Sequence, residues 1–229
     1  SVSKFDLGEF SLPSLTIENY VKSIYDICIR QDGKPAATGQ VSDALGVLPG
    51  TVTSMMKTLS EAGLAEYRPY EGVQLTTSGQ ALALRVIRRH RLIELFLVKT
   101  LDLTWDEVHE EAENMEHAVS DMLVDRIDEF LGRPDHDPHG DPIPKADGTV
   151  LPNDGELLAT IKQGVTVRLI RVLDQHPDFL RFLSGNGFGI GAEAVVAEGQ
   201  EADNLRLKLH NNLVTISLAE AERLVVEVV

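Results

Sequence analysis

Glycine and proline punctuate residues 31–79 so closely that this region can hold only short elements. Pro35, Gly46, Pro49-Gly50, Gly63, Pro69, Gly72 and Gly79 leave no unbroken stretch much longer than three helical turns. Apolar spacing predicts a helix over 16–30, with Ile17, Tyr20, Val21, Ile24, Tyr25 and Ile27 as its stripe. Two shorter helices follow, over 38–45 and 51–62, stopped by Gly46 and Gly63. Val47-Leu48-Pro49-Gly50 reads as the tight connection between them, which is a helix-turn-helix pattern. The β-like runs 64–69 and 73–75, around Tyr70-Glu71-Gly72, form a hairpin and make the pattern a winged helix.

Downstream the punctuation relaxes. Thr76-Thr77-Ser78 supplies N-cap chemistry for a long helix to about residue 101. A second helix is expected over 104–121 and a third reaching 131. Residues 132–156, rich in Gly, Pro and Asp, read as linker, and residues 1–14 as an irregular lead-in. Alternating apolar runs at 165–172, 192–198, 205–209, 213–217 and 224–228, with a short helix at 174–183, predict a small antiparallel barrel. The expected architecture is mainly α with a small β part. Its predicted domains are 1–77, a winged helix-turn-helix; 78–145, helical; and 157–229, the β-barrel.

Net charge is −15, but it is unevenly spread: residues 1–100 carry +1 and residues 101–150 carry −12. A nucleic-acid surface is electrostatically possible only in the first third, and the acidic middle attracts cations. One cysteine, Cys28, excludes an intramolecular disulfide and a Cys-rich zinc site. No apolar run approaches a membrane span and no signal peptide is visible, so a cytoplasmic protein with no membrane partner is expected.

The acidic middle holds the run His109-Glu110-Glu111-Ala112-Glu113-Asn114-Met115-Glu116-His117. On a continuous helix His109, Glu113, Glu116 and His117 would share one face. His90 and Glu94 repeat the i, i+4 spacing on the preceding helix. A Glu-rich face is ordinarily solvated, and a single His–Glu pair ordinarily adds only a few tenths of a kcal/mol. Six imidazole and carboxylate donors on two helices, next to a DNA-binding pattern, point instead to a divalent-metal site.

The ordered set of segments 18–25, 50–59, 75–79, 88–94 and 108–117, with Gly140-Asp141-Pro142-Ile143-Pro144, resembles the diphtheria-toxin-repressor/MntR family of metal-dependent transcriptional regulators. The last third is similar to that family's SH3-like (FeoA-type) domain. The resemblance implies a helical metal-binding and dimerisation domain at 78–145. It implies a primary metal site of Asn19, Glu113, Glu116 and His117, and an ancillary site of His90, Glu94 and His109 completed by Asp174 or His176. Iron-responsive members place a cysteine where this chain has Glu113, so Mn²⁺ is expected, with Fe²⁺ as the alternative. Asn19 replaces an aspartate of some manganese regulators, and Lys22 stands where another acidic ligand can occur.

The expected partners are double-stranded operator DNA and a second copy of the chain. Thr51, Thr53 and Lys57 are candidates for phosphates; Ser54 and Leu48, Pro49 and Gly50 for base edges; and Arg68, with Tyr70, for the backbone through the wing. Met115, Val119, Met122 and Leu123 are candidates for a homodimer face or for the core. The function implied is repression of metal-uptake genes when metal is bound. Two other readings compete: a winged-helix regulator of a non-metal ligand, and a helical metalloenzyme. The enzyme reading fails at its defining position, since Glu113 stands where H-E-x-x-H needs its second histidine.

Overall fold

A computed structural model describes residues 15–152, 154–197, 203–210 and 212–229. The lead-in 1–14, and Glu198 at the end of the expected strand 192–198, lie outside these residues. The chain forms two compact units, Ser1–Ile87 and Arg88–Val229.

The first unit holds α1 (Leu15–Arg30), α2 (Thr38–Leu45), α3 (Pro49–Glu61) and the hairpin β1 (Ala65–Arg68) and β2 (Gly72–Leu75). Val21, Ile24, Val41, Val52, Met56 and Leu59 are fully buried in one core, so the stripe read on α1 is the packed face. Gly46 ends α2 in the left-handed conformation at φ 63°, where a Cβ is disfavoured. The helix α3 starts at Pro49, two residues earlier than expected, because proline's fixed φ and missing N–H suit the first helical position. Ala36 bridges Val73, tying the α1–α2 turn to the wing.

The helix α4 (Thr77–Leu101) begins in the first unit and continues into the second. The Thr76 hydroxyl accepts from Gly79 N (3.2 Å), which bears out the predicted N-cap.

The expected helix over 104–121 is much shorter: α5 spans only Val108–Met115. At its start Glu107 accepts from both the amide and the hydroxyl of Thr104, closing a turn instead of a helix. Residues 116–118 form another turn, and Ser120 then caps α6 (Asp121–Phe130) by accepting from Leu123 N. Glu116 and His117 therefore sit on the turn after α5, not on its face.

The segment read as linker is packed over much of its length. Asp137 accepts from the amides of His139 (2.8 Å) and Asp141 (2.9 Å), winding residues 137–141 into a tight loop. Ile143 is fully buried with Leu92, Leu95, Val124 and Ile127. Acidic and Gly/Pro-rich composition marks a loop here, but not its burial.

The C-terminal part contains β3 (Glu156–Leu157), β4 (Thr166–Val172), α7 (Pro177–Gly185), β5 (Glu193–Val196), β6 (Asn204–Leu209), β7 (Asn212–Ser217), α8 (Leu218–Ala221) and β8 (Leu224–Val228). All pairings are antiparallel, in the order β3-β8-β4-β5-β6-β7. Among the described residues the end strands β3 and β7 do not pair, so the expected barrel is an open six-stranded sheet. Its buried face carries Val167, Leu169, Leu205, Leu207 and Ile216, with Leu180 and Leu183 of α7 packed on it. A register shift between Leu169 and Arg171 sets Ile170 out of the β4–β8 ladder. There the 137–141 loop docks: Val172 N donates to His139 O (2.9 Å), and Gly140 approaches Ile170. No helix among the described residues is long and apolar enough to cross a membrane.

Gly140 has φ +85°, and a Cβ there would lie 2.0 Å from Ile170 O and 2.8 Å from Arg171 Cα. Both the backbone angle and the space exclude a side chain. Gly140→Ala is expected to cost more than about 1 kcal/mol, lowering the melting temperature of the Arg88–Val229 unit by at least about 2 °C. A calorimetric melt unchanged by the substitution would contradict the close approach.

Candidate metal centre

His90 and Glu94 lie one turn apart on the second half of α4. The arginines around them fasten that half of the helix to its neighbours. Arg88 donates to Asp128 (3.0 Å) and Pro144 O (3.2 Å), Arg89 to Asp121 (2.8 Å), and Arg91 to Pro142 O (2.6 Å). These bonds hold α4 against α6 and the loop after it. Glu94 is thereby set where its carboxylate has no exposed surface.

Three histidines surround that carboxylate. Oε1 lies 2.9 Å from His90 Nε2 and 3.3 Å from His109 Nδ1, while Oε2 faces His139 Nδ1 at 3.6 Å. The other ring nitrogen of His90 is 2.6 Å from Oε2 of the fully buried Glu116, whose Oε1 is 3.2 Å from His117 Nε2. Glu113 Oε1 lies 3.9 Å from His90 and 4.0 Å from His109. The two predicted ligand sets therefore meet at His90 as one network. Three groups have ligand-type atoms within 4.8 Å of one another: His90, Glu94 and His109; His90, Glu113 and Glu116; and Glu94, Asp137 and His139.

The third group goes beyond the sequence reading. Its signal is Asp137-Pro138-His139, two ligand types in a segment that composition marks as linker. All three of its residues are buried. Asp137 Oδ2 has only a long ion-pair contact with Arg91 Nε (3.7 Å), Glu94 Oε2 and His139 Nδ1 only the 3.6 Å contact with each other, and none of the three atoms makes a hydrogen bond among the described residues. Buried polar atoms are nearly always hydrogen-bonded. Two oxygens and one nitrogen left open together in a small space fit a divalent cation.

The electrostatics agree with the geometry. Burial alone would raise the Glu94 carboxyl, but His90, His109 and His139 hold it well below the usual range. Burial, with the charges of Asp141 and Glu94, pushes the Asp137 carboxyl up to about 7. Burial lowers His139, but Glu94 and Asp137 more than reverse this and leave it raised. Asp141 faces elsewhere: one oxygen accepts from Arg171 Nε and the other from Gln175 Nε2 (2.8 Å), which binds the loop to β4 and the segment after it.

The C-terminal candidates Asp174 and His176 belong to none of these groups. Asp174 accepts from Arg223 (2.5 Å), and exposed His176 precedes α7; both line a surface depression with Phe179 and Phe182. Asn19 stands on α1 in the first unit, where its Oδ1 is buried without a hydrogen-bond partner among the described residues.

The DNA candidates are mostly exposed. Leu48, Pro49, Gly50, Thr51, Ser54 and Lys57 lie at the open end and outer side of α3, and Arg68 lies on the wing, 3.5 Å from Glu71. Thr53 is half-buried and its hydroxyl donates to Pro49 O (3.0 Å). Tyr70 stands fully exposed at the wing tip with φ 68°. Of the dimer candidates, Met115, Met122 and Leu123 are exposed, as is Phe130 at the end of α6, whereas Val119 packs on the core.

Comparison with known proteins matches three descriptions in order. They are the iron-dependent repressor N-terminal DNA-binding domain over residues 14–73, the iron-dependent repressor metal-binding and dimerisation domain over 76–145, and the FeoA domain over 157–228. An uncharacterised HTH-type transcriptional regulator of Methanocaldococcus jannaschii is 36% identical over 118 residues, 52% of this chain and 94% of that protein. The HTH-type transcriptional regulator MntR of Lysinibacillus sphaericus is 32% identical over 120 residues, 52% of this chain and 84% of MntR. A solved manganese-dependent transcriptional repressor in complex with manganese is 35% identical at TM-score 0.84, covering 93% of this chain and 100% of that one.

The raised Asp137 carboxyl has a defined consequence for the metal-free chain. Its folded pKa of about 7 exceeds the ordinary 3.8, so the folded state keeps a proton that the unfolded state releases. The Asp137 contribution to stability therefore falls as pH rises from about 4 to about 7, and is flat above that. In urea melts of chelator-treated protein, Asp137→Asn should gain on the wild type through this window and then hold a constant advantage. An advantage that does not vary with pH contradicts the assignment.

Proposed function

The chain belongs to the family of iron- and manganese-dependent repressors, which makes it a metal-dependent, DNA-binding transcriptional regulator and not an enzyme; we propose that its ion is Mn²⁺ and its output repression of metal-uptake genes. The observation that carries the metal assignment is the donor set. Every candidate ligand offers carboxylate or amide oxygen or imidazole nitrogen, and none is a cysteine. Hard oxygen donors without thiolate favour Mn²⁺ over softer competitors, with Fe²⁺ next. A DNA-bound repressor acts in the cytoplasm, where its operators are.

Glu113, Glu116 and His117 are proposed as the activating ligands. Glu94, Asp137 and His139, with His90 and His109, form the ancillary group. A bound divalent cation supplies two positive charges and a fixed coordination geometry. Without such compensation Glu113 and Glu116 repel each other across a few ångströms, and the charge of Glu94 disfavours ionisation of Asp137. Glu116 and His117 occupy the turn between α5 and α6, so fixing their donor atoms fixes that turn. The helix α6 carries exposed Met122, Leu123 and Phe130, the face proposed for the homodimer. Two copies related by a two-fold axis would present two α3 helices to half-sites one or more helical turns apart. Lys57 and Thr51 hold phosphates, while Leu48, Gly50 and Ser54 meet base edges.

The deciding experiment selects duplex DNA from a random pool with the Mn²⁺-loaded chain. It then compares affinity with Mn²⁺ and with chelator at fixed salt. Mn²⁺ is expected to tighten binding by about 5- to 150-fold. Glu113→Ala and His117→Ala should remove that gain. Equal affinity with and without the ion would remove the switch. In the same assay Lys57→Ala should weaken binding across sequences and reduce the salt slope by about 1; an unchanged slope would remove Lys57 from the phosphate contacts.

A further inference from the structure

Trp105, the chain's one tryptophan, lies in the loop between α4 and α5 and touches both the ancillary group and the FeoA-type sheet. Its backbone carbonyl is 2.7 Å from His139 Nε2. A carbonyl only accepts, so Nε2 carries the proton in this contact, and its lone pair is not available to a ligand. That leaves Nδ1 as the nitrogen that can bind metal, and Nδ1 is the buried atom facing Glu94 Oε2. The indole also stacks on the His139 ring, with centroids 6.1 Å apart and planes 14° from parallel.

The other end of Trp105 is held by α7. Its Nε1–H donates to Ser184 Oγ at 2.7 Å, its ring packs against the core of the sheet, and the neighbouring Asp106 accepts from Arg181 at 3.0 Å. The His139 backbone is fixed from the same side by β4, through Val172 N. One ligand is thus gripped at both its main chain and its ring by groups belonging to, or tied to, the FeoA-type part.

We infer that Trp105 is a positioning residue for the ancillary metal group, the tether through which α7 sets the ring of His139, so that seating of the FeoA-type part and metal occupancy at Glu94, Asp137 and His139 are linked. This rests on the proposed metal function of those three residues. Outer contacts that orient a ligand histidine typically change metal affinity by about 10- to 100-fold when lost. Linkage makes the effect mutual: whatever loosens α7 weakens the ion, and the bound ion holds α7.

The test titrates the full chain with Mn²⁺ by calorimetry and follows tryptophan emission in parallel. Emission is expected to change with the ion equivalent that His139→Ala removes, and to stay unchanged with the one that Glu113→Ala removes. Ser184→Ala, at an exposed position, and Trp105→Phe should each weaken the His139-dependent equivalent by about tenfold and leave the other in place. Unaltered affinities in Ser184→Ala and Trp105→Phe overturn the tether while the metal reading stands. Emission that tracks only the Glu113-dependent ion overturns it equally. If His139→Ala removes no equivalent, the metal reading itself fails and the tether falls with it. Should Trp105→Phe fold poorly, Ser184→Ala alone decides.

Discussion

One carboxylate with no surface of its own organises the second unit. Glu94 is reached by His90 from its own helix, by His109 from α5 and by His139 from the loop after α6. A charge taken fully out of water persists only if its neighbours compensate it. The elements that deliver those neighbours must therefore be held in place, and the rest of the unit can be understood as doing so. The arginines of α4 clamp α6 and the following loop, and that loop in turn docks on the bulge of β4.

The network shows why two ligand groups that look separate in sequence cannot be independent in space. His90 gives one nitrogen to Glu94 and the other to Glu116. Its ring can offer a lone pair to only one ion at a time while the other nitrogen carries a proton. Occupancy on one side thus constrains the protonation available to the other. A shared imidazole gives a regulator a means of responding to metal in stages.

Much of this is legible in the sequence because it depends on local rules. Glycine and proline positions locate α2, α3 and the wing, and the 3.6-residue period locates the buried face of α1. The histidines and glutamates of 90–117 are recognisable as donors by type. What escapes is set by tertiary context. Composition alone cannot distinguish a solvated Asp-Pro-His segment from one wound tightly by Asp137 and buried beneath a sheet. Helix period also overruns α5, because the Thr104–Glu107 turn and the Ser120 cap compete with helix continuation at either end. The alternating runs suggest a closed barrel where the sheet is open, because strand runs report faces, not which edges pair.

The chemistry of the donors has a consequence for life under oxidising stress. Cysteine ligands can be lost to sulfenic acid and beyond when peroxide appears. Here every candidate metal donor is oxygen or imidazole nitrogen, and the lone thiol, Cys28, is half-buried with its pKa raised by burial, so thiolate is scarce. The donor set proposed for this regulator contains no sulfur for peroxide to oxidise.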